Sequence, residues 1–281
     1  MNNNEGVILV ELTSKCNLKC DFCVRSKINI TQAEMRIETL QNIIEKLTAF
    51  STICLCGMGE TLLYSKLQDA LDILKEKEVI VVSNGAVPIN SKWLDENKNI
   101  KTFTFSVEGP NEETSKGNCI QYNFDTLLKN MKTVVNAGRT IGINFLLNEK
   151  NIKYAVDMIQ FCKSNHVSEI NVLLPLYGKQ WILDNHSRIC EVLELMKNKG
   201  NEAGIHVVKP NSNLSCKFRG RYVPVISTEG KIKPCCDYFF VIPHSIALTQ
   251  CTYEQVLQSE IFMGFEHGIY CNQCSKMTVS I

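Results

Sequence analysis

Short runs of β-branched and aliphatic residues alternate with amphipathic stretches through the first two thirds of this chain, and that alternation constrains the fold most. Strands are predicted over 7–13, 52–56, 79–83, 102–107, 140–147 and 169–174. Helices are predicted over 37–50, 66–77, 91–96, 124–137 and 152–164, with apolar residues near i, i+3 and i+4. A further helix over 187–199 is expected to stop at Lys199-Gly200. Such repeats bury a parallel sheet under helices, the α/β class. After about Leu214 the helical rhythm ends. Residues 222–227, the turn 228–230 and residues 231–234 then predict a β-hairpin, and 254–259 a short helix. Two regions are therefore expected, 1–213 and 214–281.

The first predicted strand runs into ELTSKCNLKCDFC, which carries Cys16, Cys20 and Cys23. The spacing CxxxCxxC lets three thiolates close on one small cluster from a single loop. Three ligands are one fewer than the irons of a four-iron cluster, so one iron is left open. A zinc knuckle would want a fourth ligand at matched spacing, yet the first histidine is His166. A disulfide cluster would want a secreted chain, whereas MNNNEGVILVELT has no basic region followed by a long apolar one. The fourteen cysteines then imply a reducing, cytoplasmic setting, where metal binding or catalysis is the commoner use. A formal net charge of +1 gives no footprint for nucleic acid or a membrane surface. No apolar run reaches the roughly 18 residues of a spanning helix.

With Phe22 just before the third cysteine, this triplet resembles that of the radical SAM superfamily. Further segments carry the resemblance. CGMGETLL follows the second predicted strand, where the family has a glycine-rich run ending in Glu; Gly57, Gly59 and Glu60 match, and Thr61 stands where Pro is more frequent. Ser83-Asn84-Gly85 ends the third strand as the family's T/S-N-G does. SVEGPNEETSKGN, from Ser106, resembles the segment after the fourth strand, with Glu108 for the usual Asp and Lys116-Gly117 for Arg-Gly. Asn144 and Leu174 are adenosine-contact candidates by position. The resemblance implies a partial (β/α)6 barrel and a [4Fe-4S] cluster whose open iron chelates S-adenosylmethionine. It also implies a reductant such as flavodoxin or ferredoxin, and a 5′-deoxyadenosyl radical that takes hydrogen from a substrate carbon.

In the tail, Cys216, Cys235, Cys271 and Cys274 supply four thiolates. Their order resembles a Twitch domain, the trimmed form of SPASM, which implies an auxiliary [4Fe-4S] cluster; a structural zinc is the alternative. GKIKPCCDYFF resembles the SPASM pattern, and its doubled Cys235-Cys236 leaves the ligand register open by one residue. Cys236, as a hydrogen donor, and Asp237, as a proton acceptor, are the catalytic candidates. Cys54, Cys56, Cys119, Cys162 and Cys190 are expected to be packing residues. The architecture resembles the aminoglycoside-pathway radical SAM dehydrogenases, implying oxidation of a sugar-like or other small polar substrate. Epimerisation through the Cys236 thiol, peptide modification and a non-catalytic iron–sulfur or zinc module are the alternatives.

Overall fold

The computed structural model describes residues 6–26, 31–175, 178–210, 222–235 and 245–270. Seven parallel strands follow one another across its sheet: β1 (Val7–Val10), β2 (Thr52–Leu55), β3 (Glu78–Ser83), β4 (Ile100–Ser106), β5 (Thr140–Leu146), β6 (Glu169–Leu173) and β7 (His206–Val208). The crossovers carry α1 (Ile37–Lys46), α2 (Leu67–Ile73), α3 (Ser91–Glu96), α4 (Glu112–Lys116), α5 (Phe124–Asn136), α6 (Asp157–Ser164), α7 (Lys179–Asp184) and α8 (His186–Ala203). Side-chain oxygens of Asn90, Asn111 and Asn123 cap α3, α4 and α5, a job asparagine does well. This is the α/β, partial-barrel arrangement expected.

Successive strand residues point to opposite faces. One row, including Ile53, Leu55, Phe103, Phe105, Ile143, Phe145, Ile170 and Val172, is almost completely buried and forms the core with the helices. The alternate row, including Cys54, Thr104, Ser106, Asn144 and Asn171, stays half-buried. The inner face is therefore partly polar, as a face meant to meet a ligand would be.

The tail does not start a new sheet. β8 (Val225–Ile226) pairs parallel to β1, with Leu9 opposite Val225. β9 (Lys231–Lys233) turns back antiparallel to β8, and β10 (Ile246–Ala247) pairs with β9. Gly230, at φ +73°, makes the hairpin turn, a conformation that favours glycine. Helices α9 (Tyr253–Leu257) and α10 (Glu260–Glu266) follow. Tyr222 packs on Phe262 and Phe265 of α10 and hydrogen-bonds Glu266 at 3.0 Å.

Several elements differ from expectation. β1 is shorter, and Thr13 instead bridges to Glu34. The helix predicted over 152–164 divides into a 3-10 turn, Ile152–Tyr154, and α6. Asn151 is fully buried, and its amide donates to the Leu146 and Glu108 carbonyls, which fixes the chain just before the turn. α8 runs past Gly200 and ends at Gly204, at φ +73°. Gly200 lies inside the helix because a Cβ there would press on Val207 and the Ile205 carbonyl. β7, β10 and α10 were not expected. No helix among the described residues is long and apolar enough to cross a membrane.

Candidate metal centre

The cysteine loop leaves the C-terminal end of β1, where barrels of this kind carry their sites. Ser14 anchors its start, accepting the Ala33 N–H at 2.8 Å on its hydroxyl and donating its own N–H to the Ala33 carbonyl at 2.9 Å. Cys23 donates its N–H to the Cys20 carbonyl at 3.1 Å, and Ser26 closes on the Cys23 carbonyl with both N–H and hydroxyl. These bonds curl the loop that carries Cys16, Cys20 and Cys23, all half-buried, with Cys23 in electrostatic reach of the other two. The far side is clamped: Asp21 N–H donates to the Asn118 carbonyl at 3.2 Å, and Lys150 joins Asp21 and the Gly117 carbonyl. Phe22 is half-buried within the loop.

The glycine segment after β2 packs against this loop. Glu60 N–H donates to the Lys15 carbonyl at 2.7 Å. A Cβ on Gly59 would run into the Thr13 and Lys15 carbonyl oxygens, and one on Gly57 into the Glu11 side chain. Gly59 thus permits a close approach of backbone to backbone, and Gly57 one of backbone to the Glu11 side chain. Glu60 itself is buried, and its carboxylate accepts the Leu62 N–H at 3.1 Å and the Asn84 N–H at 2.7 Å. Burial raises its pKa, opposed by those two N–H groups and the Ser83 hydroxyl. Glu60 is therefore a brace between the glycine segment and the end of β3.

At that end, buried Ser83 accepts the Gly85 N–H at 3.0 Å, and Gly85 turns with φ +74°. Asn84 reaches back to the cysteine loop, donating to Asn17 Oδ1 at 2.9 Å and to Cys16 Sγ at 3.8 Å. Ser106 and Asn144 are neighbours in register on β4 and β5, and Asn171 stands next to Asn144 on β6. Sequence reasoning missed Asn171; its alternation with Ile170 and Val172 was the available signal. Leu174, by contrast, is buried in the core.

Two further residues emerge only from the fold. Glu11, at the end of β1, is buried and accepts the Met58 N–H at 2.6 Å and the Thr228 N–H, with the Arg25 guanidinium nearby. Burial raises its pKa against all three. Cys119, expected to be simple packing, is 3% exposed and interacts with the Cys20 thiol. Glu108, beneath them, accepts the Leu146 N–H at 3.0 Å, and burial pushes its pKa up to about 8.

The donor set suits an iron–sulfur cluster. Burial first, then Cys119, Cys23 and Glu108, push the Cys20 thiol well up; burial also raises Cys23, against the Arg25 N–H and guanidinium. Thiolates so placed call for compensating positive charge, which bound iron supplies. Among the described residues no three His, Cys, Asp or Glu side chains gather as ligands of a single metal ion. The buried Nε of Arg25 also lacks a hydrogen-bond partner among them, leaving a donor beside the thiols. In the tail, buried Cys235 follows β9 and bridges to Val223, beside the start of β8. Because β8 runs parallel to β1, Cys235 lies at the opposite end of the strands from the triplet. Cys216, Cys236, Asp237, Cys271 and Cys274 lie outside the described residues.

The family model of the radical SAM superfamily matches residues 10–162. A probable GTP 3′,8-cyclase of Sulfurisphaera tokodaii is 23% identical over 80% of this chain and 79% of its own length. A tungsten-containing aldehyde ferredoxin oxidoreductase cofactor-modifying protein of Pyrococcus furiosus is 22% identical over 81% of this chain and 70% of its own. Among solved structures, Streptococcus suis SuiB bound to its precursor peptide SuiA superposes with a TM-score of 0.74 at 15% identity, covering 92% of this chain and 66% of that one. Native anSMEcpe with bound AdoMet gives 0.75 at 14% identity, covering 95% and 86%. These likenesses show a shared fold.

Proposed function

Because this chain belongs to the radical SAM superfamily, whose cofactors are a [4Fe-4S] cluster and S-adenosylmethionine, we propose that Cys16, Cys20 and Cys23 hold that cluster. The observation carrying this is the meeting of three loops at one end of the sheet: the triplet, the braced Gly59-Glu60 segment and Asn84. When bound, the reduced cluster and S-adenosylmethionine supply a 5′-deoxyadenosyl radical that removes hydrogen from a substrate carbon. The protein's own part is positioning and exclusion of water. Glu11 and Glu60 fix the glycine segment, and Phe22 flanks the third thiol. Ser106, Asn144 and Asn171 offer polar groups along the inner face to a ribose, carboxylate or substrate hydroxyl, while Ser83 lies on the buried side and holds the Gly85 turn.

We further propose two regions, the barrel to residue 213 and the tail from 214, with a Twitch-type auxiliary cluster on Cys216, Cys235, Cys271 and Cys274. The reaction would then be a two-electron oxidation of a carbinol carbon in a small polar substrate; a cluster held by those four cysteines would supply an acceptor for the second electron, and Asp237 would take the proton. Support comes from Cys235, buried at the far end of the strands from the triplet. Separate placement suits two centres better than one. Peptide modification is the second reading, favoured by the likeness to SuiB bound to its precursor peptide.

Iron analysis of the anaerobically reconstituted Cys16/Cys20/Cys23→Ala variant tests the pair of centres. About four irons remaining support the auxiliary cluster; none, in a folded chain, overturns it. Product mass then decides the reaction. Loss of two hydrogens supports oxidation, whereas unchanged mass in H2O together with uptake of one deuterium in D2O points to epimerisation through Cys236.

A further inference from the structure

Cys16 Sγ accepts from Leu18 N–H at 3.5 Å and from Asn84 Nδ2 at 3.8 Å. A backbone donor comes with any curled loop. Asn84 is different: it is a side chain, brought from the end of another unit of the fold.

We infer that Asn84 is a positioning residue of the iron–sulfur centre, donating a hydrogen bond to the Cys16 sulfur and so raising the centre's reduction potential. The inference rests on the triplet being the cluster's ligands.

Asn84 has little choice of orientation. Its Oδ1 accepts the Ala86 N–H at 2.8 Å, so its Nδ2 must face the other way. There it meets Asn17 Oδ1 and the Cys16 sulfur. Its main-chain N–H is meanwhile tied to Glu60. The amide is locked between the two loops that build the site.

Donors aimed at ligand sulfurs stabilise the more negative, reduced centre.

The test measures the midpoint potential of reconstituted protein by EPR-monitored titration, on the signal that S-adenosylmethionine perturbs. Asn84→Ala should move it negative, by up to about a tenfold change in the reduction equilibrium, about 59 mV for one electron. Asn84→Asp, which keeps the acceptor for the Ala86 N–H and loses the donor, should move it negative as well. Iron-loaded variants with unchanged potential overturn the inference alone. Wild-type protein that takes up no iron on the triplet overturns the underlying cluster reading as well.

Discussion

Glu11 Oε1 accepts the backbone N–H of Met58 at 2.6 Å, and the same carboxylate takes the N–H of Thr228 from the tail hairpin. One buried side chain at the end of β1 therefore holds the glycine segment on one side and the last sheet strands on the other. Glu11→Ala would deprive two half-buried N–H groups of this acceptor, at up to about 1–3 kcal/mol each. A fall in melting temperature and weaker S-adenosylmethionine binding by anaerobic calorimetry are expected. Wild-type values in both would refute this role.

Gly59 touches the cysteine loop so closely that a methyl group would meet two backbone carbonyls, which cannot swing aside as a side chain can. Gly59→Ala should separate the loops and lower iron retention after reconstitution. Circular dichroism should stay near that of the parent, because the sheet is untouched. Full iron content in the variant would contradict this.

Asn130 works behind Ser83-Asn84-Gly85. It is 2% exposed, donates to the Gly85 and Val87 carbonyls at 2.9 and 2.8 Å, and accepts the Ile89 N–H at 2.8 Å. Asn130→Ala should cost about 2–4 kcal/mol by urea denaturation, from several buried groups left unmade. Asn130→Asp should be worse at neutral pH, since a carboxylate would face two carbonyls. An aspartate variant as stable as the parent would show that the segment rearranges.

The buried Glu108 carboxyl sets a pH dependence. Its pKa is about 8 in the fold against an ordinary 4.5, so the folded chain keeps a proton that the unfolded chain releases. Its contribution is complete below the lower value and is lost as pH rises towards the higher, with a limiting slope of about 1.4 kcal/mol per pH unit. Glu108→Gln keeps an acceptor for the Leu146 N–H and cannot ionise. Its stability should fall less steeply than the parent's as pH rises from about 5 to 8. Equal slopes in urea titrations would show that Glu108 is already ionised in the fold.

What was legible in the sequence was what is local. Six parallel strands declared themselves by buried aliphatic runs, and the triplet by its spacing. β7 spans only His206–Val208, too short for a period to register. The break before α6 depends on Asn151 reaching the Glu108 and Leu146 carbonyls, a contact no window of sequence contains. Glu11 looked like an ordinary polar residue at a strand end, and Cys119 like one cysteine among fourteen. Their meaning is tertiary: each matters because of a loop that arrives from elsewhere.

β8 pairs with β1 although Leu9 and Val225 stand more than two hundred residues apart in the chain. During synthesis one edge of β1 stays bare until more than two hundred further residues have been made. An uncovered strand edge is an aggregation hazard, and contacts of such long range are slow to form. The strand that launches the metal-binding loop is thus the last of the parallel set to gain both neighbours. Nascent chains arrested before the hairpin should be the species most in need of a chaperone.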